Sequence, residues 1–210
     1  MATQEFDFSG FTFVNAGGAF VIEIKQSDSH SVIVDASPSV LKRVKISKRG
    51  ETLRVGQKWR IFTWRPRVTA PEARITMPLL RGLSLHGATK GMVSGFSSSE
   101  HFKLNLSGAS RFAGEIEGGD ADFDVSGASS VELTGSGKDV VIKASGASHV
   151  QLGGFPVQNA NLEFSGACSG TVNVDGRLDA NLSGASHLSH VGEPTMGDIK
   201  TSGVSTLSKK

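Results

Sequence analysis

Phe123-Asp124-Val125-Ser126-Gly127-Ala128-Ser129 decides the fold, because its pattern returns throughout the second half of the chain. The tetrapeptide recurs as His86-Gly87-Ala88-Thr89, Ser107-Gly108-Ala109-Ser110, Ser126-Gly127-Ala128-Ser129 and Ser145-Gly146-Ala147-Ser148. It continues as Ser165-Gly166-Ala167-Cys168, Ser183-Gly184-Ala185-Ser186 and Ser202-Gly203-Val204-Ser205. The glycines step by 21, 19, 19, 20, 18 and 19 residues. A fixed period of this length means stacked, equivalent units. Strict alternation precedes each copy, as in Leu104-Asn105-Leu106 and Leu162-Glu163-Phe164. That period of two reads as a half-buried strand. A second short strand follows most copies, as in Val131-Glu132-Leu133 and Val172-Asn173-Val174. Strand, tight turn, strand and looser turn make one coil.

The chain therefore reads as all-β: a right-handed parallel β-helix, or solenoid, with coils of about 19 residues. Stacking turns sequence columns into physical ones. Leu85, Leu106, Val125, Ala144, Phe164, Leu182 and Thr201 form one inward column. Leu83, Leu104, Phe123, Ile142, Leu162, Ala180 and Ile199 form the other. Between them Ser84, Asn105, Asp124, Lys143, Glu163, Asn181 and Lys200 face water. Glycine at the second tetrapeptide position implies positive φ or close backbone approach. Alanine at the third is expected to point into a tight, core-facing corner, and the Ser hydroxyls to bond corner backbone groups.

Residues 1–80 lack the strict tetrapeptide but are rich in strands, such as Phe20-Val21-Ile22-Glu23-Ile24 and Thr52-Leu53-Arg54-Val55. Asn15-Ala16-Gly17-Gly18-Ala19-Phe20 resembles a degenerate early corner. The organisation expected is a β-rich N-terminal cap or irregular coils over 1–80 and regular repeats over 81–210, in one continuous domain. The cap would cover the apolar end of the solenoid.

The chain carries a formal net charge of +2, with +5 on residues 1–80 (12 Lys/Arg, 7 Asp/Glu) and −3 on 81–210 (10 and 13). That asymmetry falls far short of a nucleic-acid footprint, so no nucleic-acid partner is expected. Cys168 is the single cysteine, so no internal disulfide can form, and it stands in a Ser column. No signal peptide, lipid-anchor cysteine or transmembrane stretch is visible, which alone reads as a soluble cytoplasmic chain.

The phased Leu/Val-Ser-Gly-Ala-Ser repeats and the Gly18-Ala19-Phe20-Val21-Ile22-Glu23-Ile24 strand resemble a bacterial family, the GIN domain found as the head of auto-transporter adhesins. The resemblance covers about residues 10–207. It implies a β-helical, adhesin-like protein of the periplasm, outer-membrane surface or cell exterior, in a family whose members often carry a leader or lipid anchor. It implies no catalytic, cofactor-binding or metal residues. His86, Thr89, Cys168 and Val204 depart from the corner pattern.

Several residue groups invite chemistry. Asp120, Asp122 and Asp124 alternate and could offer oxygen ligands to Ca²⁺, but Lys143 adjoins the Asp124 column, so a solvated face is favoured. His149 and His187 share a column two coils apart, roughly 9.5 Å, too far for one metal. With His190 they read as surface histidines. The Ser hydroxyls recur in every coil, which a unique nucleophile would not do. The most distinctive segment outside the repeats is Lys58-Trp59-Arg60-Ile61-Phe62-Thr63-Trp64-Arg65-Pro66-Arg67. Tryptophan stacks on sugars or partner surfaces, and arginine pairs with carboxylates or phosphates. Trp59, Arg60, Phe62, Trp64, Arg65 and Arg67 are thus the candidate ligand- or partner-binding residues; the competing reading makes the aromatics a plug for the core.

The function expected is a non-enzymatic, adhesin-like binding module of the bacterial envelope or exterior, without cofactor or metal. Its partner would be a surface glycan or an envelope protein, with homo-oligomer formation open. Two alternatives stand beside it: a carbohydrate-active β-helix enzyme, a lyase or hydrolase acting on an acidic polysaccharide, and an oligomerising periplasmic scaffold.

Overall fold

The structure is a computed structural model and describes residues 1–58 and 69–210. Chain order begins with β1 (Ala2–Phe6), β2 (Phe13–Gly17), β3 (Val21–Gln26) and β4 (Ser31–Ala36). A one-turn helix α1 (Pro38–Leu41), β5 (Val44–Arg49), β6 (Thr52–Gln57) and β7 (Glu72–Met77) follow. Then come the coils: β8 (Gly82–His86) with β9 (Lys90–Ser98), β10 (Phe102–Leu106) with β11 (Arg111–Gly118), and β12 (Ala121–Val125) with β13 (Ser130–Ser136). β14 (Asp139–Gly146) with β15 (His149–Val157) and β16 (Asn159–Gly166) with β17 (Ser169–Val174) extend the stack. β18 (Arg177–Leu182) with β19 (His187–Val191) and β20 (Thr195–Thr201) with β21 (Thr206–Lys209) complete it.

Among the described residues these strands form two facing sheets, one ordered β1-β4-β7-β3-β9-β11-β13-β15-β17-β19-β21, the other β20-β18-β16-β14-β12-β10-β8-β2-β6-β5. From β3 and β2 onward all pairing toward the C-terminal coils is parallel, which makes the β-solenoid expected. Its registers reproduce both inward columns. Leu104 lies opposite Leu83 and Phe123, and Leu106 opposite Leu85 and Val125. Ala144 lies opposite Phe164, and Phe164 opposite Leu182. Side-chain volumes are matched across the narrow core: the Phe164 ring occupies the space where a Cβ on Gly170 would sit, 2.8 Å from it.

The first eighty residues hold coils as well as a cap. β2 and β3 form a coil whose corner, Gly17-Gly18-Ala19-Phe20, sits in register with His86-Gly87-Ala88-Thr89. Gly18 and Ala19 both have positive φ, +84° and +62°. β6 and β7 form another coil, stacked on the far side of β2 and β3. Antiparallel strands then close that end: β4 on β7, β1 on β4, and β5 on β6. The Thr3 hydroxyl, together with Arg74, binds the Asp35 carboxylate across three of these strands and holds it below the usual carboxylate range.

The corners correct one expectation. The third-position alanines are exposed, and Val204 in that column is 77% exposed. The preceding glycine, at φ +78° in Gly108, Gly127 and Gly146, turns the chain so that the third residue swings outward and the fourth inward. From Ala109 onward each third-position N–H donates to the glycine carbonyl one coil below, as Ala147 does to Gly127 at 2.8 Å. The buried fourth residue is Ser110, Ser129, Ser148 or Ser186, and each hydroxyl donates to the first-position carbonyl of its own corner, at 2.8–2.9 Å. Thr89 and Cys168 make the same bond, to His86 and Ser165. A polar group at a buried site needs such a partner, which is why the fourth position keeps a donor in these six copies while changing its identity.

At the C-terminal end Arg177 forks the Asp179 carboxylate with two bonds of 2.7 Å, and Asp179 accepts the Asp198 N–H at 2.7 Å. The Arg177 bonds, with the Asp198 amide, keep Asp179 below the ordinary carboxylate range. A folded-state pKa lowered in this way stabilises β20 above the unfolded carboxyl's pKa, and that stabilisation is lost as pH falls through the lower folded value. Hydrogen-exchange protection of the Asp198 amide is therefore expected to drop as pH falls below about 4, and Asp179→Asn should remove the drop. Unchanged protection across that range in the parent chain would reject the clamp.

Candidate functional site

The capped end carries the most distinctive surface. In β5, Lys45, Ser47 and Arg49 alternate with Val44 and Ile46, and the antiparallel register sets Ile46 opposite buried Val55. Lys45 and Ser47 therefore face outward beside Arg54 of β6. The hairpin closes where the Lys58 N–H donates to the Arg43 carbonyl at 2.8 Å, bringing those two side chains to one corner. Gln57 fixes that corner to the next coil through a 2.8 Å bond from its amide to the Gly18 carbonyl. The His86 ring lies where a Cβ on Gly17 would be, so the absent side chain is what admits the imidazole.

These residues enclose a cleft of about 740 Å³, walled by Gly17-Gly18-Ala19 and Gly87-Ala88 and edged by Arg43, Gln57, Lys58 and His86. A second groove of about 410 Å³, with Asn15, Lys45, Ser47 and Arg54, shares Gly56, Gln57 and His86 with it. The cleft is of the size that holds small ligands. Among the described residues, no carboxylate lines either part. Among the described residues, Arg43, Lys45, Arg54 and Lys58 take part in none of the ion pairs, which involve Lys25, Arg74, Arg81, His101, Lys143, Arg177 and Lys209 instead. The Arg43 Nε is buried and, among the described residues, has no hydrogen-bond partner. Unneutralised cations in a concave site raise the local positive potential and attract anions.

Trp59, Arg60, Phe62, Trp64, Arg65 and Arg67 lie outside the described residues. The residue before them, Lys58, edges the cleft. The sequence reading missed Arg43, Lys45 and Arg54, although a signal was present: residues 42–67 hold ten Lys/Arg and one acid, Glu51. Averaging the charge over 80 residues diluted that run.

The other candidates have local roles. His101 binds the Asp122 carboxylate at 2.9 Å. Asp124 lines a shallow groove of about 190 Å³ with Lys143 and Glu163, whose charges approach to 3.9 Å. Among the described residues no group of three metal-ligating side chains forms. His149 and His187 are exposed on one column with Ser169 between them, as expected. Their Nδ1 atoms contact the Ser169 and Thr206 hydroxyls at 2.7 and 2.5 Å. His190 departs from the reading: it is 5% exposed, in the inward position opposite Val172, and its Nδ1 has no partner among the described residues. It stands two positions after inward-facing Leu188, and period-two alternation carries it inward with that residue. No helix among the described residues is long and apolar enough to cross a membrane.

A family model described as "Putative auto-transporter adhesin, head GIN domain" matches residues 10–194. Among solved structures, a putative adhesin from Bacteroides fragilis NCTC 9343 is similar at a TM-score of 0.92 and 16% identity, over 100% of this chain and 96% of that one. A putative lipid binding protein from Parabacteroides distasonis ATCC 8503 has a TM-score of 0.77 at 16% identity, over 100% and 96%. A putative adhesin from Parabacteroides merdae ATCC 43184 has a TM-score of 0.73 at 16% identity, over 100% and 95%. At that identity the likeness is one of fold. No curated protein matches the chain.

Proposed function

Because the chain belongs to the auto-transporter adhesin head GIN-domain family, which its match over residues 10–194 shows, we propose that it is a non-enzymatic, adhesin-like binding module of the bacterial cell surface or exterior. One observation carries the reading beyond the family: the cleft at the capped end, where Arg43, Lys45, Arg54 and Lys58 gather with no acid among the described lining residues. The rest of the surface serves a different purpose. The corner hydroxyls are engaged within their own coil, and the sheet faces are regular ladders that give the molecule length and stiffness. A stiff rod with its distinctive chemistry at one end suits presentation of that end to a partner. The Trp59–Arg67 segment adjoins the cleft in sequence, and Trp59 and Trp64 are the proposed stacking residues for a sugar or a protein surface.

A glycan array and a bacterial or host cell-binding assay test this. The purified chain should bind a restricted set of glycans or one cell type, and Trp59→Ala/Trp64→Ala should lower that binding about tenfold or more while leaving the melting temperature within a few degrees. Absence of binding to every glycan and every cell would overturn the adhesin reading. Loss of stability without loss of binding would make the tryptophans part of the core.

A further inference from the structure

We propose that the cation-lined groove at the capped end holds an acidic polysaccharide, with Arg43, Lys45, Arg54 and Lys58 engaging its carboxylate or sulfate groups. The inference rests on the binding-module reading and names the ligand class for it.

Four observations converge on this ligand. Arg43 edges the cleft and, among the described residues, takes part in no ion pair, which leaves its guanidinium for a ligand. Its guanidinium can present paired N–H groups to the two oxygens of a carboxylate or sulfate. The cleft and groove adjoin, sharing Gly56, Gln57 and His86, so the cations are spread over two neighbouring sites and not around one point. Such a spread suits a chain bearing repeated charges better than a single small anion. Asn15 and Ser47 stand beside the cations and supply neutral hydrogen bonds suited to sugar hydroxyls. Glycine and alanine form the wall, which allows a ring to approach the backbone closely.

Other polyanions fit less well. A membrane-docking patch needs apolar side chains to enter the bilayer. The exposed large hydrophobic residues among those described are Met1, Met92, Val141, Met196 and Val204, and none of them lines the cleft or the groove. A nucleic acid lying along the rod would meet residues 81–210, whose net charge is −3 (10 Lys/Arg against 13 Asp/Glu).

Surface plasmon resonance on the full chain tests the proposal, with polygalacturonate, dextran sulfate, unmodified dextran and phosphatidylglycerol vesicles as probes. Polygalacturonate or dextran sulfate should bind, and unmodified dextran should not. Arg43→Gln and Arg54→Gln should each weaken binding about tenfold, whereas Lys143→Gln and Lys200→Gln, on the same sheet beyond the groove, should change it less than about twofold. Because Arg43 is part-buried, circular dichroism of each variant accompanies the binding, and exposed Arg54 provides the test if Arg43→Gln misfolds. Binding to vesicles alone, equal losses in the Lys143 and Lys200 variants, or no binding to either polyanion would overturn the proposal. If polyanions fail while a neutral glycan or a cell surface binds, the acidic-ligand inference falls and the adhesin reading stands. If nothing binds, both fall.

Discussion

Leu106→Asp is expected to destabilise the chain by about 5 kcal/mol, at the severe end for a single substitution. Leu106 is buried between Leu85 and Val125 of the neighbouring coils. A carboxyl there loses the leucine's packing and finds no partner in an apolar column. For a chain of this length the melting temperature should fall by roughly 10–20 °C. Asn105→Asp, one residue away on the outward column, should alter stability by no more than about 0.5 kcal/mol. The contrast between adjacent positions is the diagnostic result, and equal melting temperatures for the two variants would reject the register.

Gly146→Ala is expected to lose roughly 3–5 kcal/mol, from left-handed strain combined with a backbone collision. Gly146 has φ +78°, and a Cβ on it would lie 2.5 Å from the Gly127 carbonyl oxygen. Flexible side chains can move aside, but this neighbour is the main chain of another corner. That carbonyl already accepts the Ala147 N–H at 2.8 Å, and the Gly146 carbonyl accepts the Ala167 N–H at 2.7 Å. A shift at one corner therefore disturbs the bonds on both sides of it. Ala147→Val serves as the control, since Val204 occupies that exposed column already and the change should cost little. Denaturant midpoints of the two variants measure the difference, and coincident midpoints would show that the corner glycines are dispensable.

The two inward columns were legible because alternation and period constrain each other. A period near 19 sets which residues stack, and period two sets which of them face the core, so Leu104, Phe123, Ile142 and Leu162 could be aligned without coordinates. The corner alanines were misread because small size was equated with burial. A residue after a positive-φ glycine can be small and still point outward, and the buried position next to it belonged to a hydroxyl whose partner is local. His190 shows the opposite error, in which polarity was equated with exposure although its phase matches Leu188. The groove needed three-dimensional placement, since Arg43 and Lys58 meet only when β5 and β6 pair. The Trp59–Arg67 segment lies outside the described residues, and its binding assay stands as the test of it.

The order of the coils also escapes a linear reading, and it has a kinetic consequence. The β2/β3 coil lies between β6/β7 and β8/β9, so Val21 stands opposite both Glu72 and Lys90, 51 and 69 residues away. Between later coils the separation is that of Arg111 and Ser130, 19 residues. Closing the longest of these loops costs about 1 kcal/mol more chain entropy than closing the shortest, and contacts between distant residues form slowly. The capped end is therefore expected to form slowly, and to gain its pairing with β9 only after residues 90–98 have been synthesised. Once it has formed, each later coil meets a finished edge, and the remainder of the rod can grow layer by layer in the order in which the ribosome delivers it.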